Sequence, residues 1–205
     1  MTVSSKSKTF SVVFRYSPIY DEQCHAAFDL LPKHERAYPD TKTTMAFMHR
    51  LEKEWRKNEQ SIFNAIQKYS GAKWTIKEHL CYVVGSGVPF SDPLTMPVFA
   101  PQAPIDYASD VLCHELIHRN LIESDFLLRW KRIFTKLEKH WPKDTENVLV
   151  HVIVHALHEQ IFLNLFTEER LKRDKRIMFT HPDYRRAWEI VEKVGAEKII
   201  KTYLV

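Results

Sequence analysis

Cys113-His114-Glu115-Leu116-Ile117-His118 reads as HExxH set inside an apolar helical segment. In a helix, residues i and i+4 lie one turn apart on one face, so His114 and His118 can both reach a single metal ion. Glu115 is rotated about 100° from His114, which aims it at a water on that metal rather than at the metal itself. Two neutral imidazoles suit Zn²⁺, and a carboxylate beside them can take a proton from an activated water. Cys113 lies about 100° off the His114 direction and reads as a small buried core residue, not as a thiolate ligand.

Upstream of this stretch, Asp106 is placed to cap a helix running from about Tyr107 to Leu121. Met96 to Ala100 is a short apolar strand ended by Pro101 and Pro104. Lys73 to Val84 alternates and closes in Leu80-Cys81-Tyr82-Val83-Val84, a buried strand. Residues 85–95 read as a Gly/Pro/Ser loop. Gly85-Ser86-Gly87 lacks the third glycine and the Lys-Ser/Thr of a phosphate loop. Thr43 to Tyr69 reads as one helix: Met45, Met48, Leu51, Trp55, Ile62, Ile66 and Tyr69 recur at three- and four-residue steps, and Gly71 is the stop. Thr9 to Tyr16 is β-branched and aromatic, hence a strand. A short helix is expected around Glu22–Leu30, with His25 and His34 on the surface.

Downstream, a helix is expected from Ser124 to His140, with Phe126, Leu127, Trp130, Ile133, Phe134 and Leu137 on its buried side and Pro142 as its breaker. The next helix, 145–166, carries a second group of histidines. With His151 at zero, His155 falls at about 40°, His158 at about −20° and Glu159 at about 80°. Four potential ligands thus share a third of the helix surface, while Leu149, Val150, Ile153, Val154, Leu157 and Ile161 hold the other side. Residues 167–176 are charged and read as a surface turn or a continuing helix. His181-Pro182-Asp183-Tyr184 opens a C-terminal helix with Trp188, Ile190 and Val191 buried. Gly195 interrupts it, and Ile199, Ile200, Tyr203 and Leu204 dock its end.

The 205 residues fit a single domain over 1–205, with an α+β lobe at 1–121 and a helical lobe at 122–205 that carries the third ligand. Only 4 glycines favour a helix-rich α+β fold over a turn-rich all-β one. Its small mixed sheet is expected from strands near 9–16, 74–84 and 96–100, with the site in the cleft between the lobes. The net charge of +4 is mild, and clusters such as Lys172-Arg173-Asp174-Lys175-Arg176 read as solvated helix faces, so nucleic acid is not an expected partner. Three widely spaced cysteines are no disulfide framework. The polar start Met1–Lys6 has no signal-peptide core, and no membrane span is expected, which points to a cytoplasmic protein. Oligomeric state is left open.

The order strand, strand, HExxH helix, then a further ligand-bearing helix resembles the zincin metallopeptidases, and among them the small gluzincin-like kind, over roughly residues 74–166. The resemblance implies peptide-bond hydrolysis of a peptide or protein substrate, Zn²⁺ as cofactor, and Glu115 as general base and acid. It also implies a substrate strand laid along the strand before the motif helix, here Met96–Ala100. The metzincin extension fails, because its positions hold Leu121 and Ser124. Gluzincins take a glutamate from the second helix as third ligand, and here the only glutamate on the face is Glu159. His155, near the middle of the polar arc, ranks first as third ligand beside His114 and His118, with His151 and Glu159 as alternatives. Tyr184 and Tyr107 are candidate donors to an oxyanion. A rival reading is a non-catalytic metal-binding protein, in which His114, His118, His151 and His155 close a structural or regulatory site. A third is an interaction module with a buried polar seam.

Overall fold

The computed structural model describes residues 9–28, 37–123 and 126–204, with the backbone alone at 126–128. The expected surface place of His34, the burial of Phe126 and Leu127 and the start of a helix at Ser124 lie outside the described residues. The fold is α+β and helix-rich with one small mixed sheet, as the sequence suggests.

The sheet has four strands in the order β1 (Ser11–Arg15), β2 (Glu78–Val84), β4 (Leu94–Pro97), β3 (Phe90–Ser91). β1 and β4 run parallel to β2, while β3 runs antiparallel to β4. The three expected strands are present, each shorter than the pattern that announced it. β3 falls inside the stretch read as a loop. It is two residues long between Pro89 and the Asp92-Pro93 turn, too short to show a period. Its presence moves the free edge: Met96 is fully buried in β4 between β2 and β3, and β3 is the outer strand. β3 pairs with Leu94 and Thr95 only, so the outer edge of the sheet on this side is Phe90–Ser91 at that level.

α1 (Pro18–Phe28) comes before α2 (Thr41–Trp55) and α3 (Glu59–Ser70), which replace the single helix expected over 43–69. The apolar period runs on across the break, so the cause is tertiary. β1 is the other sheet edge, and an edge leaves backbone groups unpaired. Glu59 accepts from the Val12 N–H at 2.8 Å and from the Trp55 indole at 2.9 Å, while Arg56 donates to the Val12 carbonyl at 3.0 Å. Breaking the helix at 56–58 brings both side chains to that edge. The Gly85 stretch also has a packing role. The Gly85 N–H donates to Asp21 at 2.7 Å, and a Cβ there would stand 2.5 Å from the Tyr38 ring.

α4 (Ile105–Ile122) carries the HExxH residues. Its N-cap is Pro104; Asp106, expected as the cap, sits in the first turn and pairs with Arg173 at 2.9 Å. α5 (Phe126–His140) leads to α6 (Glu146–Leu165), then α7 (Glu168–Met178), α8 (Pro182–Val194) and α9 (Ala196–Tyr203). α6 is the hub, packed against α3, α4, α5, α7, α8 and α9. By length and composition it could cross a membrane, contrary to the expectation that no stretch could. In this fold 67% of that window is buried, as befits a helix apolar on every side at the centre of a bundle.

Candidate metal centre

α4 and α6 cross with their histidines facing. The Nε2 atoms of His114 and His118 stand 3.2 Å apart, the one-turn spacing that the motif requires. His151 of α6 completes the set: one ligand atom from each of His114, His118 and His151 lies within 4.8 Å of the others. His114 and His151 are buried and His118 is half-buried.

The donor set fits a metal on three grounds. First, the tautomer of His151 is fixed. Its Nδ1–H donates to the Asn147 carbonyl at 2.7 Å, so Nε2 keeps its lone pair, and that atom is buried with no partner. Second, the rings are neutral. Burial first, and the neighbouring histidines second, push His114 far below the usual imidazole range; the same causes bring His118 down to about 3. Burial lowers His151 as well. Third, a buried acceptor left unpaired, as His151 Nε2 is, is costly, and three ring nitrogens within 4.8 Å of one another are a donor set that suits a Lewis acid.

His155 and Glu159 do not join this set. The His155 ring lies flat on Trp188, 4.4 Å between centroids at 10°. The group of described residues that could hold a metal ion thus contains His151 where the sequence reading ranks His155 first. The helical wheel gave the angle around α6 but not its level against α4. Four residues along a helix are about 6 Å, enough to exchange one histidine for the next. Glu159 points elsewhere and holds the Lys175 ammonium at 2.9 Å.

A cleft of about 430 Å³ opens onto His114, Glu115, His118 and His151. Its walls are largely apolar and include Phe99, Val111, Ile177 and Met178. Burial pushes the Glu115 carboxyl up to about 7. Both expected tyrosines line the cleft. Tyr184 lies 4.2 Å from the His151 ring, with its hydroxyl pushed up by burial and then by Glu115; Tyr107 packs edge-on against Phe99.

Sequence reasoning missed the β3 rim, with Phe90 half exposed at the mouth, and His181, which lines the cleft 5.4 Å from Tyr184. It also missed Asp174, fully buried 3.5 Å from His158. Asp174 was read as part of a solvated face, and no local pattern marks it as buried. No family model matches the chain, and neither the curated proteins nor the solved structures contain a match to it.

Proposed function

We propose that the chain is a zinc-dependent hydrolase of the metallopeptidase class, with His114, His118 and His151 as metal ligands and Glu115 as general base. The observation that carries this reading is the convergence of three neutral histidines with a half-buried carboxyl in one open cleft. When bound, the metal supplies Lewis-acid chemistry: it lowers the pKa of a water and polarises a carbonyl. The chain's own residues do the rest. Glu115 takes a proton from the attacking water and returns it to the leaving amine, a task suited to a carboxyl that titrates near neutrality. Tyr184, its hydroxyl kept protonated by burial, donates to the oxyanion. The apolar walls exclude water and receive apolar side chains of an extended peptide, whose backbone pairs with the free edge of β3.

A second reading, a closed four-histidine structural site, is favoured by His155, whose two ring nitrogens are buried without partners. It leaves the cleft and Glu115 without a role.

One experiment separates the readings. Zinc content and peptide turnover are measured for the wild type and for Glu115→Gln. The expected result is one zinc per chain in both, with turnover lower by about 10²–10⁴-fold in the variant, the usual contribution of a general base. A wild type that takes up no zinc sinks both readings. Zinc without turnover on any apolar peptide leaves the structural site.

A further inference from the structure

The metal reading leaves a proton unaccounted for. If His114 ligates through Nε2, the atom that faces His118, its Nδ1 must carry the hydrogen. That Nδ1 is buried and has no partner. His151 solves the same problem with the Asn147 carbonyl. Ligating histidines generally hand this second N–H to an acceptor, which sets ring orientation and raises basicity.

Two rings stand at equal distance behind His114: His155 and His158, each 5.7 Å between centroids. They differ in what backs them. His155 lies against Trp188 and touches no carboxylate in the described fold. The His158 Nε2 is 3.5 Å from Asp174 Oδ2, and both side chains are fully buried. Next to a carboxylate, Nε2 is the protonated nitrogen and Nδ1 keeps the lone pair. That Nδ1 is likewise buried and unpartnered. Ring orientation is set from the far side by Phe162, stacked on His158 at 4.0 Å. Asp174 is steadied by the Arg173 Nε, 3.7 Å from its other oxygen.

We propose that His158 and Asp174 form a positioning relay behind the metal ligand His114: the His114 Nδ1–H is donated to His158 Nδ1, and the His158 Nε2–H to Asp174. Every proton in the chain then has one donor and one acceptor, and four buried orphan atoms are paired at once. The relay rests on the metal reading above, and it gives Asp174 of α7 a role at the metal centre without contact to substrate.

The test is zinc affinity, measured by competition with a chromogenic chelator, beside thermal melting of the metal-free protein. Two variants are compared with the wild type: Asp174→Asn, and the double variant His158→Phe with Asp174→Leu. The double variant replaces a buried polar pair by apolar side chains, a change that often leaves stability equal or higher, so it guards against loss of folding. Both are expected to bind zinc about 10–100-fold more weakly, the usual cost of removing a partner that orients a ligand. The metal-free double variant is expected to melt no lower than the wild type. Unchanged zinc affinity in the double variant overturns the relay while leaving the metal site intact. If His155→Phe loses the affinity instead, the relay is overturned and His155 is the partner of the site. A wild type without zinc removes the metal reading and the relay together.

Discussion

Two buried polar clusters lie one turn apart on α4, and they are built on opposite terms. At the N-terminal end, Asp110 accepts from the Arg170 Nε at 2.7 and 2.9 Å and from Arg173 at 2.5 Å, and Asp106 takes Arg173 at 2.9 and 3.1 Å. The two aspartates each have their cations. One turn on, His114 Nδ1, His151 Nε2 and both nitrogens of His155 and of His158 are buried and unpaired. The first cluster is a clasp that fastens α7 to α4. The second is a set of lone pairs held in place at a standing cost. Buried polar atoms are nearly always paired within a fold, and a bound metal ion is the partner that the proposed function would supply to this concentrated group of exceptions.

The comparison breaks most visibly at the clasp. Removing one partner of a buried ion pair costs about 3–5 kcal/mol, because the other charge stays buried. Arg170→Ala should fall at the low end, about 3 kcal/mol, since Arg173 still holds Asp110. Part of the loss is the guanidinium packed 4.0 Å over the Phe166 ring. Denaturant unfolding measures it, and zinc affinity should not change. A variant that keeps its stability but loses zinc would mean that the two clusters are one.

The histidine cluster should respond the other way, gaining from an added partner. Zinc at 100 times its dissociation constant should raise the unfolding free energy by about 2.7 kcal/mol, and a chelator should remove that gain. The same increment is expected in Arg170→Ala. A zinc-independent melting temperature would put the unpaired nitrogens down to something other than a metal.

How far these clusters could be read in the sequence follows from distance along the chain. His114, Glu115 and His118 are local, and helix geometry alone places them. The sheet was legible where strands are long, as at Leu80–Val84. It was not legible at Phe90–Ser91, where two residues carry no period. The break between Trp55 and Glu59 could not be seen, because its cause is the unpaired edge of β1, distant in sequence. His151 and His155 share a face of α6, and only the level of α4 against α6 decides between them. Asp174 sits in a run of four cations, and nothing near it says that its side chain turns inward.

The His155 site gives the next effect in size. Both of its ring nitrogens are desolvated without return, and an unsatisfied buried polar group costs about 1–3 kcal/mol. His155→Phe keeps an aromatic ring against Trp188 and removes both nitrogens. The metal-free protein should gain about 1–2 kcal/mol in denaturant unfolding, with zinc affinity held. A loss of stability would show that His155 has a partner in solution. A loss of zinc would return it to the ligand set.

The smallest effect tests whether the position of His151 depends on the end of its own helix. Thr145 caps α6: its hydroxyl accepts from the Val148 N–H at 3.2 Å and stands 3.2 Å from Asp183 Oδ2, which also accepts from Asn147 at 2.9 Å. Asn147 in turn supplies the carbonyl that fixes the His151 tautomer. Replacing such a cap by alanine costs about 1 kcal/mol. Thr145→Ala should lose that much by denaturant unfolding, and Thr145→Ser should recover most of it. Zinc affinity should hold, because the Asn147 carbonyl is oriented by the helix and α6 is clamped along its length by five other helices besides α4. If Thr145→Ala instead weakens zinc tenfold while stability barely moves, the cap belongs to the metal centre. The unpaired cluster would then extend to the first turn of α6, and the division between a closed clasp and an open site would have to be redrawn along that helix.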